Sequence, residues 1–299
     1  MASTQELKRR VRSITNTRKV TKAMELVASA RLRRSQQRIE SMRPYADRMQ
    51  ELMAGVAQAA GAVRLPLLQQ REQVKTIAIV PMTGDRGLAG GFNAQVLRRS
   101  FALAREAEAA GQHVVWYPSG RRGGSTLRFR RLSVAQGWTG FSERPAYSDA
   151  QAMAHALSEA FVNGDVDRVV LVYNKFESAL VQRVTVSDLL PIPENVLSAG
   201  EDEDLNDRER AVRGDFIYEP EPEEILQRLL PVYLETEIYR ALLESAASFL
   251  AAQMTAMRSA SKNAEELVDS LTLAMNRARQ AQITQEILEI VAGADALTQ

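Results

Sequence analysis

Glycine and proline, the residues that most readily end a helix, are absent from the first 43 positions and again from the 61 positions Val232 to Ala292. Most of the remaining ones fall between Gly55 and Pro222. This distribution predicts two long helices flanking a compact middle. Ser3-Thr4-Gln5-Glu6 has the form of a capping box, in which a hydroxyl accepts from the backbone three residues on and Glu6 reaches back. Apolar residues then recur at helical spacing as Leu7, Val11 and Ile14, and as Val20, Met24 and Val27. Towards the other end a stripe runs Leu267, Leu271, Ala274, Ala278, Ala281, Gln285, Leu288 and Ala292, with Gly293 as its stop. Its steps average about 3.5 residues, the coiled-coil period. At about 1.5 Å per residue the last helix reaches roughly 90 Å and the first roughly 60 Å, too long for one wall of a globular domain. One such stripe is the ordinary mark of a packed core. Two, at opposite ends of one chain, predict that the termini pair as an antiparallel coiled coil, thin where alanines fill the seam.

The middle alternates between strand and helix patterns. Val74–Val80, His113–Tyr117, Val166–Phe176 and Leu180–Leu190 read as strands, Asn93–Ala110 and Ser148–Val162 as helices. Such alternation argues an α/β domain with a largely parallel sheet. The expected architecture is α/β: a long antiparallel coiled coil of N- and C-terminal helices plus a Rossmann-like layered α/β domain. The division expected is 1–60 for the first helix, 70–195 for the α/β domain, 196–220 for an acidic linker and foot loop, and 221–299 for the last helix.

Charge is segregated in the same way. Lys plus Arg is 38 and Asp plus Glu 37, a net +1. Yet residues 1–38 hold 11 basic residues against Glu6 and Glu25, and residues 194–224 hold 12 acids against Arg208, Arg210 and Arg213. The first 44 residues contain no aromatic side chain, so neither the stacking platforms of single-strand binders nor the aromatic anchors of a membrane-surface helix are present. A basic helix of this kind suits an acidic protein surface, which it steers and orients. The longest charge-free run, Ser245 to Met257, has 13 residues, short of the about 20 that span a bilayer.

Candidate chemistry is sparse. Cysteine is absent, which removes disulfides, thiolate ligands and thiol nucleophiles. His113 and His155 each lack a second imidazole nearby in sequence. Gly84-Asp85-Arg86-Gly87-Leu88-Ala89-Gly90-Gly91-Phe92-Asn93 follows a strand and precedes a helix, the place where a glycine-rich turn can present N–H groups to a phosphate. It lacks both the dinucleotide pattern and the Gly-Lys-Ser/Thr of a triphosphate loop, and reads as a tight structural turn or contact loop. Gly120-Arg121-Arg122-Gly123-Gly124-Ser125 reads as a basic loop. No cofactor and no catalytic residue are expected.

Arg12-Ser13-Ile14-Thr15-Asn16-Thr17-Arg18-Lys19-Val20-Thr21-Lys22-Ala23-Met24-Glu25-Leu26-Val27-Ala28 closely resembles the N-terminal signature of the gamma subunit of F-type ATP synthase. Asn276-Arg277-Ala278-Arg279-Gln280-Ala281-Gln282-Ile283-Thr284-Gln285-Glu286-Ile287 resembles the C-terminal signature of the same family, and the Gly84–Asn93 loop and Tyr218-Glu219-Pro220 also fit it. The resemblance covers the whole chain in order. It implies a non-catalytic rotor that couples rotation of the c ring to ATP synthesis or hydrolysis at the beta subunits. The implied partners are alpha, beta and epsilon subunits and the c ring, with no nucleic acid and only indirect membrane attachment. Met24, Arg279, Gln280 and Thr284 would meet beta, and Phe216 and Glu219 would meet the c ring. The absence of cysteine excludes the thiol switch of chloroplast members. With no transit segment, the expected location is the cytoplasmic face of a bacterial plasma membrane. The competing expectation is a stand-alone nucleotide-binding α/β protein with helical arms, resting on the Gly84–Asn93 loop.

Overall fold

The computed structural model describes residues 4–61, 65–193, 196 and 219–298, the last seven of these by their backbone alone. Ser3, Phe216 and most of the acidic linker lie outside the described residues. In chain order the elements are α1 (Thr4–Ala60), a 3-10 turn (Pro66–Leu68), β1 (Thr76–Pro81), α2 (Phe92–Ala109) and β2 (His113–Trp116). There follow α3 (Arg121–Phe129), α4 (Tyr147–Val162), β3 (Arg168–Phe176), β4 (Gln182–Leu190) and α5 (Pro222–Thr298). Pro44 lies within α1 and Pro231 within α5, both exposed. A proline inside a helix costs about 3 kcal/mol in isolation, so packing of the surrounding turns carries the helix through each. The chain divides into two compact units: Met1–Ser29 with Gln253–Gln299, and Ala30–Ala252.

The second unit is built on a four-stranded sheet of order β2-β1-β3-β4. β1 pairs in parallel with β2, Thr76 opposite His113, and with β3, Ile77 opposite Arg168. β4 returns antiparallel along β3, with Val172 opposite Val186 and a bulge at Val169/Val170. The β1 and β3 patterns are almost wholly apolar because both faces are covered. Ile77, Ile79, Val170 and Val172 face one side, where Val96, Leu103 and Ala107 of α2 and Leu127 of α3 bury them. Ala78, Val80, Val169 and Leu171 face the other, against Met153, Leu157 and Phe161 of α4. The same cluster includes Met49, Met53 and Val56 of α1 and Leu226, Leu230, Leu234, Ile238 and Leu242 of α5. α5 is tied to β3 where the Ser248 hydroxyl donates to the Asn174 carbonyl at 3.0 Å.

Two segments depart from expectation. The last helix runs on through Gly293, expected as its stop, to Thr298. The Gly120–Ser125 stretch, expected to be a basic loop, caps and opens α3, which takes in two glycines. Gly120 and Gly123 are demanded by contact with Thr83, just past β1, whereas a Cβ at Gly124 would meet only ordinary contacts. At Gly123 a Cβ would stand 2.8 Å from Thr83 Oγ1, and the Gly123 N–H donates to that oxygen at 2.9 Å. Gly120 has φ +94°, and a Cβ there would lie 2.0 Å from the Thr83 carbonyl oxygen. Helix propensity disfavours glycine by about 1 kcal/mol. Close approach of α3 to the strand end outweighs it.

Gly120→Ala is therefore expected to destabilise the protein by about 3 kcal/mol or more, through backbone strain and overlap together. Gly140→Ala, at φ +103° with open space around it, should cost about 1 kcal/mol from conformation alone. Chemical denaturation followed by circular dichroism separates the two; equal losses would refute the role given to Thr83.

Candidate functional site

In the first unit the two chain ends run antiparallel. Thr4 Oγ1 donates to Gln282 Oε1 at 2.9 Å, Arg18 to Glu265 at 2.7 Å, and Arg258 Nε to Glu25 Oε1 at 3.0 Å. Thr21 and Ser261 share a hydroxyl–hydroxyl bond of 2.7 Å. On α1 a seam of Leu7, Val11, Ile14, Arg18, Thr21, Glu25 and Ala28 turns inward in steps of four and three, with Thr15 and Met24 half-buried beside it. On α5 they are Met254, Met257, Ser261, Ala264, Val268, Leu271, Met275 and Ala278. The coil is real, but its seam differs from the expected stripes. Val20 and Val27 are 58% and 51% exposed, and Leu267 is 47% exposed. The heptad step from Ile14 lands on Arg18, Thr21 and Glu25, so the middle of the coil is polar and the valines are left outside.

Glu25 is the most enclosed of these polar groups, at 5% exposure. It accepts from Lys22 Nζ and from Arg258 Nε, each at 3.0 Å. Hydrogen bonds from Lys22 and then Arg258 hold its carboxyl below the usual range, outweighing desolvation. The groove beside it, of 620 Å³, is lined by Arg18, Lys19, Lys22, Arg258 and Lys262 against Glu25 and Glu265. A net positive wall results, with exposed Leu26 at its rim.

Of the residues expected to meet beta, Met24 is half-buried on α1 next to Glu25 in sequence, whereas Arg279, Gln280 and Thr284 are exposed on α5. The Thr284 hydroxyl donates to the Gln280 carbonyl at 3.0 Å, placing both on one helix face. Arg258 marks the level of Glu25, so at about 1.5 Å per residue Gln280 lies about 33 Å further along the helix. The structure thus puts the expected residues at two levels of the coil. Glu219 is exposed just ahead of α5, and Phe216 falls outside the described residues. Glu25 and Arg258 were missed, though counting heptads from Leu7 reaches Glu25. Beyond Gln282, residues 283–291 are all exposed, including Ile283, Ile287, Leu288, Ile290 and Val291. The expected stripe through Ala281, Gln285 and Leu288 is unpaired within the described residues.

In the second unit the Gly84–Asn93 loop closes on itself. The Asp85 carboxylate accepts from the backbone N–H of Arg121, the first residue of α3, at 3.0 Å. It also accepts from Gly140 N–H at 2.9 Å, and from the N–H and hydroxyl of Ser142 at 3.2 and 2.9 Å. Burial raises the Asp85 pKa, but the four hydrogen bonds outweigh it and the net shift is downward. A helix N-terminus is where such folds seat a phosphate. Here the chain's own carboxylate caps α3, while the helix into which the loop leads, α2, begins at Phe92. Behind the loop, Phe92 meets Phe249 of α5 edge to face at 5.4 Å, and a Cβ at Gly84 would lie 2.6 Å from the Phe249 ring. The arrangement fits the contact loop expected from sequence.

Comparison with known proteins bears directly on this geometry. A family model described as ATP synthase matches residues 3–297. The ATP synthase gamma chain of Rubrobacter xylanophilus is 46% identical over 297 residues, covering 99% of both chains. That of a Synechococcus species is 44% identical over 315 residues, again 99% of both. The chain belongs to the ATP synthase gamma chain family. A solved structure of the Tetrahymena thermophila mitochondrial ATP synthase central stalk and c ring is 26% identical with a TM-score of 0.58, over 81% of this chain and 99% of that one. A Euglena gracilis mitochondrial ATP synthase chain shares the fold at 16% identity, with a TM-score of 0.70 over 98% and 94%. Among the described residues no helix is long and apolar enough to cross a membrane. For a gamma chain the informative surface is therefore the outside of the paired helices.

Glu25→Gln is expected to lower coil stability by about 1 kcal/mol, the small value reflecting solvent screening in a two-helix coil. Because the folded pKa is depressed, the wild-type contribution is present above the unfolded value near 4.5 and disappears as pH falls through the folded value. Thermal melts from pH 7 to pH 3 should show the gap between wild type and Glu25→Gln closing in acid; a gap constant with pH would exclude an ionised Glu25.

Proposed function

We propose that this chain is the central-stalk rotor of a rotary ATP synthase, coupling ion-driven turning of a c ring to ATP synthesis or hydrolysis at beta subunits. The observation that carries the reading is the outer surface of the paired helices. It holds a net positive charge beside Glu25, exposed Val20, Leu26 and Val27, and a last stretch of α5 whose isoleucines have no partner helix in the described chain. A surface of this kind is stable in water only if something else covers it. An enclosing ring of alpha and beta subunits supplies that cover. Acidic loops of beta would meet Met24 and its basic neighbours, while Arg279, Gln280 and Thr284 would engage beta at the second level. Glu219 and Phe216 would form the foot, towards the c ring and beside an epsilon subunit.

Two non-identical helices make the shaft unequal around its axis, so three like beta subunits meet three different faces. Each face favours a different beta conformation, and turning the shaft moves the preference from one site to the next. The chain itself would then be non-catalytic, with the nucleotide sites on its partners. In a bacterial cell the complex would hold the chain at the cytoplasmic face of the plasma membrane.

Reconstitution with alpha and beta subunits tests the reading. The chain should co-assemble, and Arg279→Ala with Gln280→Ala should lower ATP-driven turnover about tenfold or more while leaving assembly intact, because these contacts act during rotation. Failure to assemble would overturn it. Calorimetry on the isolated chain should show no ATP binding; micromolar affinity would favour the stand-alone nucleotide binder instead.

A further inference from the structure

Between Phe92 and Leu132 the chain carries eight arginines, no lysine, and only Glu106 and Glu108 as acids. Part of this charge is gathered in a groove of 790 Å³ between α2 and the segment following α3. Phe101 and Trp116 line it, packed edge to face at 5.6 Å, and the Arg130 guanidinium lies 4.3 Å from the Phe101 ring centroid. Arg98 and Arg105, one on either side of Phe101 in the α2 sequence, add two exposed cations. Within the described residues the only ion pair of this stretch joins Arg99 to Glu106 at 3.1 Å, so Arg98, Arg105 and Arg130 have no carboxylate within 4 Å. Phe129, next to Arg130, is 88% exposed. Neither the coil surface nor the Asp85 loop includes this groove.

We propose that the groove is a docking site for an acidic polypeptide segment of another subunit, with two or more carboxylates and an apolar or aromatic side chain. Three guanidiniums offer planar forks suited to carboxylates, and an aromatic wall takes up an apolar side chain between them. Concavity favours a peptide over a lipid surface, because a flat anionic membrane reaches the rim arginines but not the half-buried Phe101 ring between them. Glu108 at one end repels a carboxylate there and fixes the direction in which the acidic segment lies. The site is separate from the surfaces assigned to beta and to the c ring.

The test places p-benzoylphenylalanine at position 126, where Thr126 lines the groove, in the assembled complex, followed by irradiation and mass spectrometry of the adduct. The expected product joins this position to an acidic run in another subunit. Arg98→Glu with Arg105→Glu should reduce its yield about tenfold, and Arg98→Lys with Arg105→Lys should retain most of it, since charge steers the encounter. Both arginines are exposed on α2, and the melting curve of each variant checks folding. Adducts formed only with lipid or only within this chain would overturn the proposal, as would a yield unchanged by charge reversal. Co-purification of alpha and beta is scored on the same sample, so absence of the adduct from an intact complex counts against the groove and not against the rotor.

Discussion

The paired helices rest on one constraint, the register between two segments that are far apart in the chain. Residues 18, 21 and 25 meet residues 265, 261 and 258, pairs separated by 247, 240 and 233 positions. Loop-closure entropy grows only slowly with separation, so bringing such ends together is affordable once the intervening chain is folded. Choosing the register is harder. A seam of alanines and small residues slides at little cost, because each shift replaces one small contact with another. Arg18–Glu265, Thr21–Ser261 and Glu25 between Lys22 and Arg258 break that degeneracy, since a slip of one heptad leaves each without its partner. Polar groups at seam positions generally lower stability and raise specificity.

The same layer explains what could and could not be seen in the sequence. The long helices were legible from the missing glycines and prolines, and Leu7, Val11 and Ile14 were correctly read as inward-facing. After Ile14, Val20, Met24 and Val27 also satisfy helical spacing, and hydrophobicity alone prefers them to Arg18, Thr21 and Glu25. The chain uses the polar set because its seam keeps heptad phase from Leu7 through to Ala28, which is 1% exposed. On α5, Leu267 and Ala274 were each one position away from Val268 and Met275 for the same reason. The sheet was legible because β1 and β3 are buried on both faces. α3 was not, because Gly120 and Gly123 answer to Thr83, a contact that only the tertiary structure reveals.

Outward-facing valines would be an error in a freestanding coil. They follow from giving the seam to polar groups while keeping the helices as a surface for partners. A shaft held inside other subunits needs little stability of its own, because burial of its outer face supplies the missing free energy on assembly. It needs a single register more, since a slip would shift every outward residue of α1 relative to those of α5. Specificity therefore takes precedence over apolar packing in this coil.

The α/β unit shows a parallel choice. In doubly wound sheets the crevice at the carboxyl ends of adjacent strands, where the strand order reverses, is the usual ligand site. β1 and β3 form such a point here, and the Gly84–Asn93 loop stands directly after β1. The loop is held by three features: the Asp85 carboxylate on the α3 N-terminus, Thr83 held between Ser119 and Gly123, and Phe249 pressed against Phe92 and Gly84. Each contact fastens the segment after β1 to a different neighbour: Asp85 to α3 and the 140–142 stretch, Thr83 to the chain after β2, and Phe92 to α5. The loop is thereby held in one conformation, and through Phe249 and the Ser248–Asn174 hydrogen bond the sheet is packed firmly against α5.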